Sequence, residues 1–186
     1  MKNKTVWANR LKGKTSLSFQ KIGSSIGVDK RLYEQDIAAS IIHAKMLVKQ
    51  KIISGKEGSK IINGLKKIKS KIDKGKFKFQ EKFEDIHLNI EKKLIELIGP
   101  SAGYLHTARS RNDQVVTDFK LWIKKSSKET ITNINSLMKI LIKKAEKNVD
   151  TVMPGLTHLK NAQPISFAHY LLSYFEMLKR DKKRFE

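Results

Sequence analysis

At 186 residues, 39% of them hydrophobic, the chain is about the size of one domain and can bury a core, which excludes an intrinsically disordered segment. It contains no cysteine, so neither a disulfide framework nor a thiolate metal site is available, and the cytoplasm is the expected compartment. The formal charge of +21 suggests nucleic acid, yet only six of the 39 basic residues are arginine and the lysines scatter over nearly every segment, so weak polyanion adsorption is expected and specific nucleic-acid binding is not.

Met1 to Trp7 carry no apolar signal core, and no uncharged run approaches the roughly 18 residues that span a bilayer, so no membrane association is expected. After residue 30, apolar residues recur at helical spacing and the chain reads as all-α. Tyr33, Ile37, Ile41, Ala44 and Val48 mark one face of a first helix. Ser54 with Glu57 offers a capping box for a second, which carries Ile61, Leu65, Ile68 and Ile72 and stops at Gly75. A third, with Ile86, Ile90, Leu94, Leu97 and Ile98, stops at the breaker pair Gly99-Pro100. These three helices are expected to form a small N-terminal domain.

A longer helix follows, because no glycine or proline occurs between Tyr104 and Met153. Ser110 as N-cap with Asp113 three residues on predicts a start at Arg111 and a run to about Lys147. Val115, Phe119, Trp122, Ile134, Leu137, Met138, Leu141 and Ala145 can line one side. A helix of that length needs partners and points to a bundle within a larger assembly. A loop containing Pro154-Gly155 is expected next, then a helix opening at Pro164 and carrying Phe167, Leu171, Leu172, Phe175 and Leu178. No stop signal lies in Arg180 to Glu186, so the sequence is expected to end inside an element.

Three polar clusters fall at segment ends and so can converge: Ser24-Ser25 through Asp29, His106 through Gln114, and Thr157-His158 through Gln163. The middle one combines Arg109, Arg111 and Asn112 with the free amides of a helix start, which suits a carboxylate or phosphate; the alternative is an ordinary capped helix with solvated arginines. His158 lies in a loop framed by prolines, where imidazole suits proton transfer, although a loop histidine is more often solvated or structurally bonded. His87 stands four residues before Glu91 and is expected to pair with it on a helix face. No third ligand at a convincing spacing accompanies it, so no metal is expected. His43 and His169 are expected to belong to packing or surface, and Ser24, Ser25 and Asp29 equally suit a turn and a cap.

Taken together, Ser24-Ser25-Ile26 with Asp29, Asp36-Ile37-Ala38, Glu84-Asp85-Ile86-His87, His106 through Gln114, and Met153 through His158 resemble the N-terminal part of the argininosuccinate lyases, in the fumarase/aspartase superfamily. The resemblance runs from about Gly23 to Glu186, and its Arg109-Ser110-Arg111-Asn112-Asp113-Gln114 string is the most specific part. It implies a small N-terminal helical lyase domain over 1–109 and an incomplete, truncated central helical bundle over 110–186. It also implies reversible cleavage of argininosuccinate to arginine and fumarate, without cofactor or metal, in a homotetramer. Ser25, Ser110, Arg111, Asn112 and Thr157 would bind substrate, His158 would be the proton-transfer histidine, and Asp29, His87, Asp113 and Gln163 would be second-rank pocket members.

The chain departs from the pattern in places. Ala108 stands where the family usually has glycine, which matters only if the backbone there needs a positive φ. Trp7-Ala8-Asn9-Arg10-Leu11 replaces Trp-Gly-Gly-Arg-Phe, and Lys160-Asn161 replaces Gln-Arg. The family's mobile glycine- and serine-rich loop, with the serine thought to be the general base and a lysine that holds substrate, is absent from these 186 residues, so the chain alone is expected to be inactive. Rival expectations are a superfamily lyase with another amino leaving group, or a helical interaction protein without catalysis.

Overall fold

The computed structural model describes residues 16–186, so the Trp7 to Leu11 departure lies outside the described residues. Two compact units divide after Trp122. The first holds α1 (Leu17–Gly23), α2 (Ile26–Asp29), α3 (Tyr33–Lys49), α4 (Gly55–Asp73), α5 (Ile86–Ile98), a 3-10 stretch at Gly99–His106 and the opening turns of α6 (Arg111–Glu146). Among the described residues, no helix is long and apolar enough to cross a membrane.

The helices begin and end where local chemistry directs. Ser54 Oγ accepts from the Glu57 amide at 3.2 Å to open α4, and Gly75 closes it at φ +65°. Asp85 Oδ1 accepts from the Leu88 amide at 2.6 Å to open α5, and Gly99 ends it at φ +69°. The apolar faces of α3, α4 and α5 then meet in one core. Ile37, Leu47, Ile61, Leu65, Ile68, Ile86, Ile90 and Leu94 are all but inaccessible there, and each such burial stabilises by about 1.5–3 kcal/mol. Gly64 lets α4 approach α5 closely, because a Cβ at that position would lie 2.5 Å from Leu94 Cδ1. Trp122 of α6 packs against the same cluster, with the Arg31 guanidinium 5.5 Å above its ring.

The second unit contains the remainder of α6, a hairpin of β1 (Val152–Thr157) and β2 (Lys160–Ser166), and α7 (Phe167–Phe185). Ala145, Ala168 and Leu171 form its small core, with Leu141 and Phe167 against them. The sequence suggested a loop here and a helix opening at Pro164; instead Pro164 lies in β2, directly opposite Pro154 of β1. In a two-stranded ribbon both strands are edges, so a proline without an N–H disturbs neither. The helix start passes to Ser166, whose Oγ accepts from the His169 amide at 3.1 Å. The ladder slips register at Gly155, where an added Cβ would meet the Gln163 carbonyl oxygen at 2.8 Å.

The long helix starts at Arg111 as its capping pattern predicts, with the Ser110 carbonyl accepting from the Gln114 amide at 3.1 Å. Met138 and Ala145 are buried, but Val115, Phe119 and Leu137, expected on the packed side, are 37%, 50% and 47% exposed.

Candidate active site

In the first unit, the polar residues that break the apolar faces of α3, α5 and α6 converge. Asp36 of α3, His87 of α5 and Asp118 of α6 are nearly or fully buried. His87 Nδ1 donates to Asp36 Oδ1 at 3.0 Å and stands 3.5 Å from Asp118 Oδ2, while Gln114 Nε2 donates a short hydrogen bond to Asp36 Oδ1. No donor among the described residues satisfies either oxygen of the Asp118 carboxylate, which can share a hydrogen bond with Asp36 only by carrying the proton itself.

This geometry sets the protonation states. Burial pushes Asp36 up, but the hydrogen bond and charge of His87 and the bond from Gln114 outweigh it, so Asp36 is held below the ordinary carboxylate range. Burial pushes His87 down, but the hydrogen bond and charge of Asp36, joined by Asp85 and Asp118, raise it above the usual imidazole value. For Asp118 the balance goes the other way: burial, then the negative charge of Asp36 and a hydrogen bond to it, outweigh the charges of His87 and Arg109 and push it up to about 7. The cluster is therefore an Asp36 held toward its anion, a His87 whose proton is favoured by it, and an Asp118 poised to hold a proton near neutral pH.

The expected His87–Glu91 pair does not form, because Asp36 and Asp118 claim the ring from neighbouring helices while Glu91 Oε2 accepts from Arg111 Nη2 at 2.9 Å. Likewise the missing third metal ligand comes from tertiary structure, since one ligand atom each from Asp36, His87 and Asp118 lies within 4.8 Å of the others. A divalent ion would have to displace the His87 Nδ1 proton and the Gln114 contact against the charge of Arg109. The donors fit a proton better than a metal ion.

Two arginines border this cluster. Arg109 Nη1 donates to Ser40 Oγ at 2.8 Å; burial pushes its guanidinium down, and the charges of Asp36 and Asp118 oppose that. Arg111 Nη1 donates to Gln114 Oε1 at 2.9 Å, beside its bond to Glu91. A cavity of about 20 Å³, enough for roughly one water, lies between them and is lined by Asp36, Ser40, His87, Arg109, Arg111 and Gln114. The turn that aims both arginines contains Ala108 at φ +54°, so the alanine-for-glycine departure does fall where the backbone is left-handed. His43 Nε2 supports this turn from α3 by donating to the Thr107 carbonyl at 3.0 Å.

The other expected residues fall as follows. Ser25 Oγ donates to Asp29 Oδ2 at 2.6 Å, the Asp29 Oδ1 accepts from the Ile86 amide at 3.2 Å, and the Ser25 amide donates to the Glu84 carbonyl, so this cluster is tied to the start of the helix that bears His87. Burial is the largest influence on Asp29 and raises its carboxyl. Ser110, Asn112 and Asp113 are exposed at the start of α6. In the second unit, Thr157, His158 and Gln163 are exposed on the hairpin. His158 and Leu159, at φ +50° and +62°, form its two-residue tip between the paired Thr157 and Lys160, a conformation that glycine or asparagine would adopt with less strain.

Sequence reasoning carried Asp36 and Gln114 only within family motifs, without a role, and passed over Ser40 and Asp118. The signal was present as spacing: Asp36 with Ser40 and Gln114 with Asp118 are four apart, polar pairs on helix faces otherwise apolar. A larger cleft of about 310 Å³, lined by Lys71, Lys76, Lys78 and Lys93 with Phe77 and Phe83, shares none of these side chains.

The family model described as "Lyase" matches residues 9–186. An argininosuccinate lyase of Pelagibacter ubique (strain HTCC1062) is 56% identical over 98% of this chain and 40% of its own length, and one of Ehrlichia chaffeensis (strain ATCC CRL-10679 / Arkansas) is 53% identical over 100% and 39%. The chain thus spans about two fifths of the length of these curated relatives. Among solved structures, an EDDS lyase variant with bound fumarate is similar at TM-score 0.71 and 26% identity, over 94% of this chain and 35% of that one. A fumarate lyase:delta crystallin from Brucella melitensis shares the fold at TM-score 0.69 and 16% identity, over 95% and 43%.

Proposed function

The chain belongs to the lyase family, and from that premise we propose that it supplies the carboxylate-holding part of an argininosuccinate lyase site. The observation that carries this reading is the 56% identity, over 98% of the chain, to a relative named argininosuccinate lyase. In the reaction a base takes a proton from the carbon next to a succinyl carboxylate. The electron pair forms the C=C bond of fumarate as the C–N bond breaks, and the departing nitrogen takes up a proton to complete arginine. Negative charge builds on the carboxylate as the proton leaves, so donors fixed around it lower the barrier.

In this reading Ser110, Arg111 and Asn112 hold the succinyl carboxylates at the start of α6, Ser25 and Thr157 bind substrate, and His158 moves or steers the proton. Asp29, His87, Asp113 and Gln163 support them. The fumarate held by the EDDS lyase variant supports the choice of a four-carbon dicarboxylate. The general base and a lysine come from the part of the relatives that this chain does not span. Other subunits of a homotetramer complete the site in the cytoplasm, and no cofactor takes part. A boundary at residues 109 and 110 between the lyase domain and the central bundle belongs to the same reading.

The test is a chimera in which this chain replaces the matching part of the Pelagibacter relative, assayed for fumarate release. Turnover of argininosuccinate, with none of adenylosuccinate or aspartate, is expected, and Arg111→Ala should lower it by roughly 10²–10³-fold. Release of fumarate from another substrate, or a dead chimera beside an active parent, overturns the reading.

A further inference from the structure

Behind Arg111 runs a chain of hydrogen bonds with one permitted direction. His87 Nδ1 and Gln114 Nε2 both donate to Asp36 Oδ1, and Gln114 Oε1 accepts from Arg111 Nη1 at 2.9 Å. An ionised carboxylate only accepts and a guanidinium only donates, whereas a glutamine amide does one at each end. Held between the two, Gln114 has a single satisfying orientation, nitrogen toward Asp36 and oxygen toward Arg111. The reverse would set an NH₂ against the guanidinium and an oxygen against the carboxylate. Gln114 is 7% exposed and Asp36 1%, so water cannot easily replace either bond.

The charge on Asp36 is thereby expressed at Arg111 as the orientation of one amide. His87 on α5 and Arg109 before α6 are the cations that face Asp36, and Asp118 on α6 is the opposing acid. On the outer side, Glu91 Oε2 accepts from Arg111 Nη2 at 2.9 Å. One guanidinium donor is thus committed inward to Gln114 and one outward to Glu91, and the rest are left for an anion.

We propose that Gln114 and Asp36 are positioning residues that fix the guanidinium of Arg111 in the orientation in which it receives a substrate carboxylate. This rests on the reading of Arg111 as a carboxylate ligand, and it extends that reading to two residues that touch no substrate. A pure packing role for Gln114 would be filled by any side chain of its shape, whereas the positioning role needs an acceptor facing Arg111.

The test is arginine-side-chain NMR on the 186-residue chain, with Arg111 assigned through Arg111→Lys and folding checked by the backbone amides of α4 and α5. In the unsubstituted chain, rotation about the Arg111 Nε–Cζ bond is expected to be slow, with resolved Nη signals. Gln114→Met, similar in shape but with neither the acceptor toward Arg111 nor the donor toward Asp36, should collapse them. Asp36→Asn, which removes the fixed polarity, should also collapse them. Slow rotation surviving in Gln114→Met or Asp36→Asn, or fast rotation already present without substitution, overturns the proposal. Titration with succinate keeps the underlying reading separate: slow rotation with no succinate-induced shift at Arg111 discards the carboxylate role while the restraint itself stands. In the chimeric lyase, Gln114→Met should raise KM for argininosuccinate about tenfold. An unchanged KM in Gln114→Met counts against the proposal.

Discussion

Asp118 Oδ2 lies 3.5 Å from His87 Nδ1, with both side chains almost wholly shielded from water, yet the ring donates to Asp36 and not to Asp118. The two carboxylates are thereby driven apart, one held as an anion and the other poised to keep its proton.

The first consequence is a pH-dependent stability. Asp118, raised from 3.8 to about 7, binds a proton in the folded chain that the unfolded chain has released, so its contribution is full below pH 3.8 and is lost as pH rises to about 7. His87, raised from 6.5, stabilises below that value and loses its contribution as pH rises through its higher folded one; Asp36, held low, loses its contribution only in acid. Urea unfolding is therefore expected to show falling stability as pH rises from 3.8 to about 7, continuing as His87 loses its proton, and Asp118→Asn should flatten the part of that fall below neutrality. An identical slope in the variant would remove Asp118 as its source.

Ala108 pays for a left-handed backbone at φ +54° in the turn that aims Arg109 and Arg111. Glycine has no Cβ to clash there, so Ala108→Gly should stabilise the chain by about 0.5–1 kcal/mol even though glycine frees the unfolded state. Ala108→Val should do the opposite. A lower thermal midpoint for the glycine variant would show that the turn does not carry this strain.

Gly64 presents the reverse case, because helix propensity and packing disagree. Alanine would gain about 1 kcal/mol in an exposed helix position, but here its Cβ meets Leu94 Cδ1 at 2.5 Å and Ile98 Cγ2 at 3.3 Å, and Leu94 is fully enclosed, so an overpacking cost of about 1–3 kcal/mol should win. Gly64→Ala is expected to lower the denaturation midpoint, while Asn63→Ala, exposed on the same helix, should leave it unchanged or raise it.

The apolar residues of α6 that stay in water predict self-association. Val116, Phe119, Leu137 and Ile140 are between 47% and 60% exposed, more apolar surface than one helix of a monomer ordinarily shows. Light scattering after size exclusion should report a mass above that of one chain, and Phe119→Lys with Ile140→Lys should move it toward the monomer. A monodisperse monomer without substitution would contradict this.

The sequence by itself determined the three helices of the core and the start of the long one, but not α1, α2 or the start of α7, because capping and periodicity act within a few residues of the chain. Ser54 and the Ser110-Arg111 boundary mark helix starts, Gly75 and Gly99 mark ends, and Ile61, Leu65 and Ile68 declare their buried face. It also carried the family signature in Arg109 through Gln114. The hairpin was not legible, since Pro154 and Pro164 are breakers by local rules and are tolerated only because each strand is an edge of a two-stranded ribbon.

Only the tertiary structure decided who partners whom. His87 and Glu91 are four residues apart, and local reasoning pairs them. The packing of α3, α5 and α6 gives His87 to Asp36, a residue 51 positions away, and Glu91 to Arg111. Charges in a buried site choose partners by desolvation and distance in space, neither of which a linear spacing records.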